Sequence, residues 1–258
     1  MEKELNFAID LAKKAGEIIK ANFVFGMKKE WKKDNSPVTE TDLKINQLVI
    51  DSVKKEFPDH KILAEEGSDM SGNGDYVWVC DPVDGTIPFS HGVPTCVFSL
   101  ALVKNGESIL GVVYDPFMDR MYSAVKGQGA FLNGDKISVS KANTIKNTIV
   151  GLTFWKEAPF QFYESEKILK ENSVKLINVL SVIYMSMMVA SGEFSTVVFP
   201  GNAAHDAATV KIIVEEAGGK VTDLFGNEQR YDRETKGFLA TNGILHDEFL
   251  RIIKESMK

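Results

Sequence analysis

Tyr76-Val77-Trp78-Val79-Cys80-Asp81-Pro82-Val83-Asp84-Gly85-Thr86 is the stretch on which the reading of this chain turns. The first five residues form an apolar run that predicts a short buried strand. The next six put two carboxylates, a glycine and a hydroxyl into one tight turn. Acids at i and i+3 just past a strand end can face one pocket and share a hard cation such as Mg²⁺, which prefers oxygen ligands. Gly85 lets the backbone come close to a ligand, so that its N–H groups can face an anion. Metal carboxylates beside a phosphate cradle point to metal-assisted phosphoester chemistry. Asp-Pro alone would fit a strand-end turn in which Asp accepts local backbone hydrogen bonds. The complete string is too particular for that, and we read Asp81 and Asp84 as metal ligands.

Before this stretch, Leu5, Ile9, Ala12, Gly16, Ile19 and Phe23 recur at helical spacing and predict an amphipathic helix ending near Gly26. Residues 28–36 read as a loop closed by Pro37. Thr39 then caps a second helix with Asp42 in its first turn, and Pro58 ends it. A strand over 61–64 delivers Glu65 and Glu66. After the stretch, a helix begins near Ile87, which Thr86 is placed to cap. Strand signals follow over 97–103, 109–115, 121–125 and 130–132, with Asn105-Gly106 and Asn133-Gly134 marking tight turns. Such short connections imply an antiparallel sheet.

Beyond about Ser140 strands and helices alternate: strands over 148–152, 174–179, 195–199, 220–222 and 238–240, and helices over 160–169, 182–190, 206–217 and from about His246. The fold class is therefore an α+β front half over residues 1–140 joined to an α/β back half over 141–258. No Pro/Gly/Ser-rich linker divides them, so a site between the halves is expected.

A formal charge of −6 without a dense Lys/Arg stripe argues against a nucleic-acid partner. The basic cluster of Lys28, Lys29, Lys32 and Lys33 reads as a solvated loop. Cys80 and Cys96 lie in apolar runs and read as buried small hydrophobes, consistent with a reducing, cytoplasmic location. The N-terminus opens into an amphipathic segment without a signal-peptide pattern, and no apolar run approaches a membrane span.

Two cations need a further carboxylate and a base to orient water, and Glu65 is the candidate. Thr86 supplies a hydroxyl able to hand a proton toward it. Asp206 opens a helix, where an acid also fits the helix dipole; its flanking alanines permit close approach to the metal turn.

Several ordered strings carry a resemblance: Pro37-Val38-Thr39-Glu40-Thr41-Asp42, Ala64-Glu65-Glu66-Gly67, Trp78 through Thr86, Gly111-Val112-Val113-Tyr114-Asp115-Pro116, Gly127-Gln128-Gly129-Ala130-Phe131, Asn133-Gly134, and His205-Asp206-Ala207-Ala208 followed by Glu216-Ala217-Gly218-Gly219. Together they resemble the inositol monophosphatase family of Mg²⁺-dependent, lithium-sensitive sugar phosphatases, especially microbial members that also cleave fructose 1,6-bisphosphate. The resemblance implies a layered αβαβα sandwich, a homodimer, and two to three Mg²⁺ ions, with Mn²⁺ a possible substitute. It assigns Glu65, Asp81 and the Val83 carbonyl to one metal. Asp84 bridges to a second, completed by Asp206, and Asp42 holds a looser third ion through water. Gly85 and Thr86 present N–H groups to the phosphate, Ser181 and Asp206 join the substrate contacts, and Glu65 with Thr86 activates the attacking water. No phospho-enzyme is expected.

Four departures fall on the leaving-group side. Pro88 stands where the family usually has Asn, and His205 replaces a common Trp; as a lone histidine it reads as a packing or hydrogen-bonding residue. Leu180-Ser181-Val182-Ile183-Tyr184 replaces a smaller segment, and Phe199 falls where inositol-selective relatives carry a Glu. Trp155 and Phe154 are candidates for the rim, while Tyr184, Met185, Met187 and Met188 have core-like spacing. The resemblance thus implies a phosphomonoesterase for a small sugar or polyol phosphate. Fructose 1,6-bisphosphate, a nucleoside 3′,5′-bisphosphate and histidinol phosphate are alternative substrates, with scattered lysines such as Lys156 and Lys175 available to a second phosphate. A phosphate-binding regulator without turnover is the alternative from a different class, and it predicts damage at Glu65, Asp84 or Thr86, all of which are intact. Asp84→Asn is expected to abolish turnover and leave the fold intact.

Overall fold

The structure is a computed structural model that describes residues 1–32 and 37–257; the last four residues of the expected 28–36 loop, Lys33 among them, lie outside the described residues. The front half runs α1 (Glu2–Asn22), β1 (Glu30–Trp31), β2 (Pro37–Val38), α2 (Glu40–Glu56), β3 (Lys61–Ala64), β4 (Tyr76–Asp84), α3 (Thr86–Ser90), β5 (Val97–Lys104), β6 (Glu107–Asp115), β7 (Arg120–Val125), β8 (Gly129–Leu132) and β9 (Asp135–Lys136). The back half runs β10 (Ile149–Leu152), α4 (Tyr163–Glu171), β11 (Lys175–Ile177), α5 (Val182–Ala190), β12 (Thr196–Phe199), α6 (Ala204–Glu216), β13 (Lys220–Thr222), β14 (Phe238–Thr241) and α7 (His246–Ser256). Among the described residues no helix is long and apolar enough to cross a membrane.

Strands β3 to β9 form a seven-stranded sheet in sequence order, antiparallel except for the parallel β3–β4 pair. The second sheet has the order β11-β10-β12-β14-β13. Strand alternation assigns the two faces of the first sheet. On β4, Val77 and Val79 join the apolar cluster of α5 and α6, while Trp78 and Cys80 join the cluster of α1 and α2. On β5, Val97, Ala101 and Val103 face one way, and Phe98, Leu100 and Leu102 the other. Both faces are covered, which is why these strands read as continuous apolar runs. Helices α4 and α7 cover the far face of the second sheet with Leu169, Phe249, Ile252 and Ile253. The layers are helix, sheet, helix, sheet, helix, with α5 and α6 in the middle.

Several local expectations change. The first helix stops at Asn22 rather than near Gly26, and part of the expected polar loop forms β1, paired antiparallel with β2. The 76–80 strand continues through Asp84, so the two acids lie within the strand instead of in a turn beyond it. Finally, Gly85 (φ +93°), not Thr86, is the cap of α3.

Candidate active site

The continuation of β4 decides where its acids point. In a regular strand, residues i and i+3 face opposite sides of the sheet. Here Asp81 pairs with Ser99 but Asp84 pairs with Val97, so three steps on β4 match two on β5. The one-residue bulge reverses the alternation. Val83 accordingly packs with the α1/α2 cluster, although Val77 and Val79, of the same parity, pack with α5 and α6. Asp81 and Asp84 thereby share the α5/α6 face. Pro82, which has no N–H to donate to the ladder, sits inside this irregularity.

Helix α6 brings in the third acid. Its first turn carries Asp206, and the neighbouring Ala204, Ala207 and Ala208 are buried. Thr209, one turn on, shares a 2.8 Å hydrogen bond with Ser99 of β5, which locks the helix over the bulge. One carboxylate oxygen each from Asp81, Asp84 and Asp206 then lie within 4.8 Å of one another. Burial, followed by the charges of Glu65 and Asp84, raises the Asp81 carboxyl well above the usual carboxylate range. Burial and the charge of Asp206 push Asp84 up to about 7, against the opposing hydrogen bonds of Ser181, Tyr184 and Ile183. Asp206 is pushed up to about 8, by burial first and by Glu65 second. Three crowded carboxylates with hard oxygen donors fit a divalent cation such as Mg²⁺, whose charge would relieve their mutual repulsion.

These acids line a cleft of about 440 Å³ together with Lys32, Glu65, Val83, Gly85 and Thr86. Glu65 follows β3, and its N–H donates to the Cys80 carbonyl at 3.2 Å, extending the β3–β4 pairing into the site. Its Oε1 accepts from Lys32 Nζ at 2.7 Å, and the same ammonium reaches Glu66 Oε1 at 2.5 Å. Burial alone would lower the Lys32 pKa, but the two glutamates outweigh it and hold the ammonium above its ordinary range. The solvated-loop reading therefore fails for Lys32, which is a cation of the cleft. No periodicity marks it; its signal lies in the pair Glu65-Glu66, which needs a counter-charge once half-buried. Burial and the Glu65 charge push Glu66 up to about 7 even with Lys32 opposing.

Three further site residues are engaged within the protein itself. Asp42 is fully buried at the start of α2. Its Oδ2 accepts from the Thr39 N–H at 3.0 Å and from the Thr39 hydroxyl, and its Oδ1 accepts from Thr86 Oγ1 at 3.0 Å. With both oxygens engaged and no exposure, Asp42 anchors Thr86. The Thr86 hydroxyl also reaches the Val83 carbonyl at 3.1 Å, so it is directed to Asp42 and Val83 instead of Glu65. Ser181, expected among the substrate contacts, donates to Asp84 Oδ2 at 2.5 Å. The Asp84 carboxylate also accepts from the N–H groups of Val182, Ile183 and Tyr184 at 2.8–3.2 Å, capping the open end of α5. Asp84 is thus a structural residue as well as a member of the acidic cluster.

Of the rim residues, Trp155 and Phe199 line the cleft, whereas Phe154 turns to a separate cavity beside Leu176. His205 lines the cleft, and burial lowers its pKa. Lys156 pairs with Glu157 on the surface, and Lys175 sits on β11, away from the cleft lining. Tyr184, Met185, Met187 and Met188 pack in the middle layer, and Cys80 and Cys96 are buried free thiols.

The profile of the inositol monophosphatase family matches residues 1–258. The curated fructose-1,6-bisphosphatase/inositol-1-monophosphatase of Thermotoga maritima is 36% identical over 255 residues, 97% of this chain and 96% of that protein. A solved IMPase structure from Thermotoga maritima superposes with a TM-score of 0.89 at 32% identity, over 100% of this chain and 98% of its own. An IMPase/NADP phosphatase structure complexed with Mg²⁺ and phosphate superposes with a TM-score of 0.86 at 25% identity, over 97% of this chain and 95% of its own.

Proposed function

The chain belongs to the inositol monophosphatase family, and from that premise we propose that it is a Mg²⁺-dependent phosphomonoesterase acting on a small sugar or polyol phosphate. The observation that carries the reading is the convergence of Asp81, Asp84 and Asp206 within 4.8 Å, in a cleft that also holds Glu65 and Thr86. With Glu65 and the Val83 carbonyl beside them, these acids would hold the metal. Mg²⁺ held there would supply positive charge to the phosphate during its displacement by water.

The chain's own groups do the rest. Gly85 turns in the left-handed region, and the backbone of Gly85 and Thr86, which line the cleft, would serve as the phosphate cradle. Asp42 and Val83 orient the Thr86 hydroxyl, while Lys32 balances Glu65. Glu65, which lines the same cleft as the acids, would take a proton from an attacking water. Direct attack by water leaves no phospho-enzyme. A cytoplasmic homodimer completes the proposal.

The test is phosphate release from inositol 1-phosphate, fructose 1,6-bisphosphate, 3′-phosphoadenosine 5′-phosphate and histidinol phosphate, with Mg²⁺ and with EDTA. Asp84→Asn would place an amide against the N–H groups of α5, so it disturbs folding as well as chemistry, contrary to the expectation from sequence. Asp206→Asn is the cleaner variant. We expect Mg²⁺-dependent release from at least one substrate, reduced by about 100-fold or more in Asp206→Asn, as for loss of a transition-state charge contact. Release indifferent to EDTA or to the substitution refutes the metal assignment.

A further inference from the structure

Four large apolar side chains share the cleft with the acids: Ile87, Trp155, Leu180 and Phe199. Three of them are exposed, Ile87 at 38%, Trp155 at 43% and Leu180 at 45%. Large apolar groups gathered in one open cleft mark a binding surface more often than scattered ones do. Their placement is also built. The Phe199 ring stands between Trp155 (centroids 6.0 Å) and Phe238 (5.6 Å), making an aromatic row that runs from the core to the cleft. Gly201 makes room for that ring: a Cβ there would meet Phe199 ring atoms at 2.3 and 2.6 Å. Leu180 has φ +56°, a left-handed conformation that costs a non-glycine residue free energy, and its N–H is held by Asn178 Oδ1 at 2.9 Å. The backbone accepts strain where it presents an isobutyl group beside the cleft.

A polyol pressed against these four side chains would leave the hydroxyls on that side without partners, whereas a flat ring would bury apolar surface against Trp155 and Phe199. We propose that the preferred substrate is a phosphomonoester whose alcohol carries an aromatic ring, with Trp155 as its specificity-determining contact. The proposal rests on the Mg²⁺-dependent phosphomonoesterase reading above and narrows its substrate, an alcohol with an aromatic ring taking the place of the sugar or polyol.

The test compares two primary alkyl phosphates with Mg²⁺, 2-phenylethyl phosphate and glycerol 3-phosphate. They share the bond that is broken and differ in whether the alcohol offers a ring or hydroxyls. The expected result is a kcat/KM about ten-fold higher for 2-phenylethyl phosphate, the ratio of a good aromatic contact, carried mainly by KM. Trp155→Ala should bring the ratio close to one, and Trp155→Phe should restore most of it. Equal kcat/KM values in the wild type, or a preference for glycerol 3-phosphate, overturn the aromatic proposal and leave the phosphomonoesterase reading standing. A ratio unchanged in Trp155→Ala removes that residue's role. Absence of Mg²⁺-dependent release from both probes and from the four substrates above overturns both readings together.

Discussion

Gly85→Ala is the substitution whose consequence the structure specifies most closely. Gly85 has φ +93° and ψ +40°, a conformation that side chains of L-residues rarely adopt. The conformational part of the cost is about 1–2 kcal/mol. An added Cβ would also stand 2.8 Å from the Thr95 carbonyl oxygen and 2.9 Å from Ser181 Cβ. Neither neighbour yields easily, since one is backbone and the other is tied to Asp84 by its hydroxyl. Overpacking of this kind adds about 1–3 kcal/mol, so the sum is about 2–5 kcal/mol. Gly127→Ala is the matched control: its φ is +78°, but nothing lies within 4 Å of its added Cβ. It carries the conformational cost alone. Urea unfolding of wild type and both variants, at equal slopes, measures the difference. Gly85→Ala should be less stable than Gly127→Ala by about 1–3 kcal/mol, and phosphate release should fall with it because displaced Ser181 moves Asp84. Equal stability of the two alanine variants would refute the argument that this turn is sterically locked against Ser181.

Two further outcomes follow from charge. Lys32→Gln leaves Glu65 and Glu66 without the ammonium that now bonds both, so the metal-free protein should melt at a lower temperature and gain more from Mg²⁺ than wild type; an identical Mg²⁺-induced rise in a thermal melt counts against Lys32 as the counter-charge of the cleft. His246 is buried between Thr222 (3.1 Å to Nε2) and Thr241 (3.0 Å to Nδ1), and burial, with the Lys220 charge, pushes its pKa down to about 4. The unfolded chain therefore binds the proton first: this contribution to stability is complete above about pH 6.5 and declines as the pH falls toward 4. His246→Gln should flatten the stability–pH curve across that window, and parallel curves for the two proteins would exclude His246 as a source of the acid sensitivity.

Much of the architecture could be read along the chain because its signals are local. Helix α5 occupies the expected 182–190 and β3 the expected 61–64, while Thr39 and Asp42 form a reciprocal cap at the start of α2. Periodicity, caps and Asn-Gly turns act over a few residues, and a single chain displays them directly. The acids of the Asp81–Asp84 string could be picked out for the same reason: their residue types and spacing are unusual wherever they fold.

The working arrangement of those acids is a different matter. Spacing alone puts Asp81 and Asp84 on opposite faces of a strand, and only the β4 bulge brings them to one side. Asp42 meets Thr86 across 44 residues of chain, Ser181 meets Asp84 across 97, and Lys32 meets Glu65 across 33. Each of these pairs assigns a duty that residue type leaves open: anchoring a hydroxyl, capping a helix, neutralising a glutamate. What the sequence determined by itself was the set of elements and the chemical inventory of the site, because propensity and composition belong to the local chain. What only the tertiary structure decided was which carboxylates remain open to a cation and which apolar side chains flank them, because burial and hydrogen bonding are settled by contacts that form when distant segments pack together.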